Sequence, residues 1–88
     1  MKHVNVKIHG KNKNTGIRFH VMSEAYRFHI KGSVKRLNDE LIEIEAEGAE
    51  IPLSRFLDWC KTGPPGCKID NIEFTDREIC YYSNFDIV

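Results

Sequence analysis

Residues 8–18, with the sequence IHGKNKNTGIR, combine residue types that can bind an anion. An alternating apolar pattern ends here, an amide- and lysine-rich loop follows, and a helical apolar period begins after Gly16. The first turn of a helix leaves backbone N–H groups without partners and carries the positive end of the helix dipole, so this strand–loop–helix can bind phosphate or carboxylate. Arg18 would lie in that first turn, where its guanidinium can contact two oxygens of one anion. Most loops of this kind bind nothing, so the pattern by itself also allows Arg18 to be a surface charge.

Length and composition indicate one globular domain of 88 residues with a single modest core. No segment is long and apolar enough to span a membrane, and the N-terminus lacks the apolar region of a signal peptide. Cys60, Cys67 and Cys80 show no C-x-x-C spacing, and they form no recognisable metal set with the four histidines. We therefore predict a reduced, cytoplasmic location, no bound metal and no membrane contact.

The charges are unevenly distributed although the formal net charge is zero. Residues 1–37 hold nine lysines and arginines but only one acidic residue, Glu24, whereas residues 38–88 are acidic. Such segregation can place a positive field around the loop. It is also typical of a solvated, dipolar surface. Nucleic-acid binding is not expected, because the chain is neutral overall and lacks the paired strand aromatics of RNA-binding sheets.

The elements that must position the loop follow from the apolar periodicity. In chain order the predicted elements are a strand at residues 3–9, a helix at 15–28, strands at 33–37 and 41–47, a helix at 51–61, and strands at 68–74 and 84–88. Two helices on one face of an antiparallel sheet, with the other face in solvent, predict a ferredoxin-like α+β sandwich of βαββαβ order plus a short terminal strand.

The sequence also gives three local expectations. Glu43, Glu45 and Glu47 alternate with apolar residues and are predicted to lie on the solvated sheet face. The change of parity between Ile69 and Ile72 predicts a β-bulge near residues 70–71. The first helix is expected to end near His29, and if the residue after the helix is left-handed, histidine is a tolerable occupant there.

Nearly the whole chain resembles the acylphosphatase family. The family loop G-x-V-Q-G-V-G-F-R corresponds to residues 10–18, GKNKNTGIR, and its G-x-V-x-N-x-x-D-G motif corresponds to residues 32–40, GSVKRLNDE. The pattern F-x-x-W-x-x-x-G-P-P-x-A corresponds to residues 56–67, FLDWCKTGPPGC, and the terminal F-x-I corresponds to residues 85–87. The last two segments bear on the fold more than on the chemistry.

The resemblance implies a metal- and cofactor-free hydrolase of carboxyl–phosphate anhydrides that acts on a small-molecule acyl phosphate and releases inorganic phosphate. We also expect a monomer. Arg18 takes the place of the phosphate-binding arginine. The backbone N–H groups around it would hold the phosphoryl oxygens, and these belong to Lys13, Asn14, Thr15, Gly16, Ile17 and Arg18.

The second catalytic position departs from the family, because Arg36 stands where the family has an asparagine that orients the attacking water. An asparagine both donates and accepts hydrogen bonds, whereas an arginine only donates. Arg36 shares strand parity with Val34 and is therefore predicted to face the helices, either as a second phosphate ligand or with its head in solvent. The sequence thus predicts a slow hydrolase or a catalytically silent anion-binding module.

Overall fold

The computed structural model describes residues 1–88 and confirms the predicted α+β sandwich. In chain order the elements are β1 (Lys2–His9), α1 (Ile17–Arg27), β2 (Lys31–Asn38), β3 (Leu41–Gly48), α2 (Glu50–Thr62), β4 (Asn71–Arg77) and β5 (Phe85–Ile87). They form one sheet of order β4-β1-β3-β2-β5. Neighbouring strands are antiparallel except β2 and β5, which are parallel. None of the helices is long and apolar enough to cross a lipid bilayer.

The core lies between the helices and one face of this sheet. Val6, Ile44 and Val34 lie side by side across β1, β3 and β2 and are fully buried. Val21 of α1 and Phe56 of α2 are buried in the same cluster, because the apolar residues of each helix recur at helical spacing and lie on one face. The first helix ends at Arg27, and His29, which follows the capping residue Phe28, is left-handed with a φ of 57°.

Cys60 of α2 belongs to this core. It is fully buried, and burial, with a smaller contribution from the nearby carboxylate of Glu24, raises the pKa of the Cys60 thiol far above its ordinary value. The thiol therefore stays protonated and acts as a small apolar side chain. Cys67 and Cys80 are also unpaired.

The predicted bounds and bulge of the fourth strand were wrong. The strand begins at Asn71, and its pairing with β1 continues without interruption to Arg77. Ile69 precedes the strand and packs against the core from a loop, so its parity need not match that of Ile72. The sheet irregularity lies instead in β2, between Arg36 and Asn38. It therefore lies next to the cleft described below.

The prediction that all three β3 glutamates face solvent was also wrong. Glu47 is only 1% exposed, and its carboxylate accepts hydrogen bonds from the backbone N–H groups of Cys80, Tyr81 and Tyr82. The segment after β4 crosses this face of the sheet and covers the end of β3. The alternation of apolar and polar residues along β3 does not predict that a segment more than thirty positions away covers Glu47.

A second contact holds the same segment. The ring nitrogens of His3 lie 2.7 Å from the Glu78 carbonyl oxygen and 2.8 Å from a carboxylate oxygen of Glu45. Partial burial, with the Glu45 carboxylate nearby, raises the pKa of the Tyr82 hydroxyl above its ordinary value. The sheet face opposite the helices is therefore partly shielded from solvent around His3.

Candidate active site

The loop between β1 and α1 presents a row of unpaired backbone N–H groups. Asn14 and Gly16 both adopt left-handed conformations, with φ of 62° and 71°. Successive turns of this kind direct neighbouring N–H groups toward one point and create an anion-binding concavity. The N–H groups that make no hydrogen bond within the chain include those of Lys13, Asn14, Gly16, Ile17 and Arg18. Because the last two belong to the first turn of α1, the helix dipole adds to their attraction for an anion.

Thr15 departs from the predicted arrangement. Its N–H and its hydroxyl both donate to the carbonyl oxygen of Asn12, at 3.4 Å and 2.7 Å. The Thr15 amide therefore closes the loop on itself and is not available to a ligand. Five of the six predicted backbone donors remain free.

A cleft of about 480 Å³ lies in front of these groups. Its lining residues are Lys13, Asn14, Gly16, Ile17, Arg18, Phe19, Arg36 and Asp39. The structure thus brings Arg18 and Arg36 to the same cleft, although they belong to different elements. The Lys13 ammonium lies 4.0 Å from the Asp39 carboxylate, but both side chains are exposed, so this ion pair adds little rigidity.

Asn12, which the sequence did not single out as a site residue, attaches the loop to a distant part of the chain. It is fully buried. Its side-chain amide donates to the Lys68 carbonyl oxygen and accepts from the Lys68 N–H, both at 2.6 Å. Gly10 contributes through its lack of a side chain, because a Cβ there would lie 2.0 Å from the Lys68 carbonyl oxygen. The segment before β4 therefore fixes the base of the loop.

This attachment predicts the effect of Asn12→Val, which introduces the apolar residue of the family motif. Valine matches the size of the site but leaves both backbone groups of Lys68 without partners. We expect the free energy of unfolding to fall by about 2 kcal/mol, measured by urea denaturation monitored by circular dichroism.

The exposed loop residue Lys11 supplies the control, Lys11→Val. It should change the same free energy by less than about 0.5 kcal/mol. An Asn12→Val protein as stable as the wild type would contradict the structural role of Asn12.

Arg36 contacts the loop from near the end of β2. It is half-buried, and its Nη2 donates to the carbonyl oxygen of Asn12 at 3.2 Å. Its Nη1 is buried without a partner in the chain. The side chain lies on the helix-covered face, as its parity with Val34 predicted, because Arg36 faces Ile42 in the strand register. A half-buried guanidinium without a carboxylate partner adds positive charge to the cleft.

Asn38, the asparagine nearest in sequence to position 36, does not replace the missing amide. Its side-chain oxygen accepts a hydrogen bond from the Glu40 N–H at 2.8 Å within the β2–β3 turn. It does not line the cleft.

The chemistry of the cleft is electrostatic. No serine, cysteine or histidine lines it, and its one carboxylate, that of Asp39, lies 4.0 Å from the Lys13 ammonium. Free N–H groups and two guanidinium groups can instead hold the oxygens of a phosphoryl group and stabilise charge that develops on them.

Two other features of the molecule lie away from this cleft. A larger depression of about 790 Å³ between α2 and β4 is lined by apolar residues and by charges of both signs. His3, Glu47 and Cys80 place possible metal ligands within 4.8 Å of one another, a grouping that the sequence did not predict. The carboxylate of Glu47 is already occupied by three backbone N–H groups, so this cluster is best explained as a structural contact.

Comparison with known proteins gives a consistent family. The acylphosphatase family model matches residues 4–87. An acylphosphatase of Listeria monocytogenes is 37% identical over 85 residues, which cover 94% of this chain and 91% of the relative. One of Archaeoglobus fulgidus is 33% identical, with 93% of this chain and 92% of the relative covered.

The fold agrees with a solved structure of the same kind. The crystal structure of an acylphosphatase from Bacillus subtilis superimposes on this chain with a TM-score of 0.93. The two are 32% identical, and the match covers 100% of this chain and 99% of the other.

Proposed function

This chain belongs to the acylphosphatase family, and we propose that it hydrolyses carboxyl–phosphate anhydrides to a carboxylate and inorganic phosphate. The proposal rests mainly on one observation: the five residues whose backbone N–H groups are free all line one cleft, and Arg18 is one of them. In this reaction the oxygen of a water molecule attacks phosphorus. The bond between phosphorus and the acyl oxygen breaks, the carboxylate leaves with the electron pair, and a water proton passes to phosphate or solvent.

Each group has a defined role in this proposal. The loop N–H groups hold the phosphoryl oxygens, and Arg18 contacts two of them through its planar guanidinium. Phosphoryl transfer needs little covalent participation from the protein, because its transition state spreads charge over the equatorial oxygens. Donors that are already in position stabilise this charge without reorganisation.

Arg36 is the reason that we expect slow hydrolysis of the acyl phosphate. The second guanidinium favours binding of a dianionic phosphoryl group, but it cannot accept a hydrogen bond from the attacking water. We therefore propose that the protein binds phosphate well and turns over slowly. The alternative function, a catalytically silent phosphate-binding module, is favoured by the same residue.

We further propose that the protein acts as a cytoplasmic monomer on a small-molecule acyl phosphate or inorganic phosphate, without nucleic acid, membrane, metal or cofactor. The chemistry of the cleft supports activity without a metal ion, because its cationic donors attract a phosphoryl group and repel a metal cation.

Phosphate binding, which both functions share, is tested by titrating inorganic phosphate into ¹⁵N-labelled protein. We expect the amide shifts to cluster at residues 11–19, because the free N–H groups lie there. Shifts scattered over the basic surface would contradict phosphate binding by the N–H groups of this loop. Release of phosphate from acetyl phosphate then separates the hydrolase from the silent module.

A further inference from the structure

The proposed reaction requires an acceptor for the attacking water, and the cleft contains few. Water that attacks phosphorus is oriented best when one of its hydrogens is bound by an acceptor. Lys13, Arg18 and Arg36 can only donate. The side chains around the cleft that can accept are the carboxamide of Asn14 and the carboxylate of Asp39.

Asn14 suits this role better than Asp39. The Asp39 carboxylate is charged and lies 4.0 Å from the Lys13 ammonium, and it would repel a dianionic phosphoryl group. The Asn14 carboxamide is neutral and exposed, and it makes no hydrogen bond within the chain. Asn14 also contributes one of the free N–H groups, so its side chain belongs to the same residue that would contact the phosphoryl oxygens.

We propose that Asn14 is a catalytic residue that orients the attacking water, in place of the amide that is absent at position 36. Its Oδ1 accepts one hydrogen of the water, which directs an oxygen lone pair toward phosphorus. The amide stays neutral throughout, and the bonds formed and broken are those of the proposed hydrolysis, on which this inference rests.

The opposing explanation is conformational. Asn14 has a φ of 62°, and asparagine tolerates the left-handed region better than most residues. If that were its only role, glycine would serve equally well, since glycine adopts this conformation without strain. Asn14→Gly therefore removes the carboxamide and keeps the backbone.

The test measures kcat and KM for acetyl phosphate together with phosphate binding. Asn14→Gly should lower kcat by about tenfold or more, while KM and the phosphate Kd change by less than about twofold. His29→Gly is the matched control, because His29 is also left-handed, with a φ of 57°, and is exposed at the far end of α1. It should leave kcat unchanged.

The outcomes separate this inference from the proposed function. An unchanged kcat in Asn14→Gly, with a catalytically active wild type, overturns the role of Asn14 alone. A loss of kcat in Asp39→Asn, but not in Asn14→Gly, also overturns it and assigns the acceptor to Asp39. A wild type that binds phosphate and does not accelerate hydrolysis overturns the proposed hydrolase and this inference together.

Discussion

Arg18→Ala is expected to lower kcat/KM for acetyl phosphate by about 10³-fold and to abolish the phosphate-induced amide shifts. Arg18 is half-buried beside the free N–H groups, and no ion pair within the chain occupies it. Its guanidinium can contact two phosphoryl oxygens and stabilise the charge that develops on them. Alanine leaves the backbone donors in place, so the fold remains and the main cationic ligand is lost.

Two variants make this result specific. Arg18→Lys keeps the charge but loses the planar arrangement of donors, so it should recover only part of the loss. Arg55→Ala removes an exposed arginine from α2 and should leave kcat/KM unchanged. Wild-type phosphate binding in Arg18→Ala, or an equal loss in Arg55→Ala, would show that anions bind through general surface charge.

Arg36→Asn is expected to raise kcat by about tenfold to a hundredfold. The substitution places a carboxamide where the family motif has one, and this amide can accept a hydrogen bond from water. It also removes one cation and the hydrogen bond from Nη2 to Asn12, so phosphate binding should weaken. Measuring kcat at saturating acetyl phosphate separates the expected faster turnover from the expected weaker binding.

Lys35→Asn is the matched control for this change. Lys35 is the preceding residue of β2, is exposed, and pairs with Glu43 at 3.7 Å, away from the cleft. Its replacement should not change kcat. A lower kcat in Arg36→Asn would show instead that Arg36 itself stabilises the transition state, and our assignment of this position would be wrong.

The fold was largely predictable because its determinants are local. Alternation in β1 and β3 and the stripes of α1 and α2 identify the buried faces, and these faces fix the layers. The ends of elements were less accurate. Ile69 carries the apolar character of a strand residue but packs from a loop, and β4 begins later than predicted.

The cleft was predictable in part for the same reason. A glycine-containing loop before a helix predicts free N–H groups, and Arg18 is placed by helix geometry. The attachment of Asn12 to Lys68 could not be predicted, because it joins residues that are 56 positions apart. The burial of Glu47 under residues 80–82 depends in the same way on a distant segment.

Hydrolysis of acetyl phosphate in ¹⁸O-labelled water, with and without the protein, tests whether the protein catalyses attack of water on phosphorus. We expect phosphate release faster than the spontaneous reaction, with the label in the phosphate, because water attacks phosphorus held by Arg18 and the loop N–H groups. No acceleration over the protein-free reaction, or label appearing in the acetate instead, would contradict it.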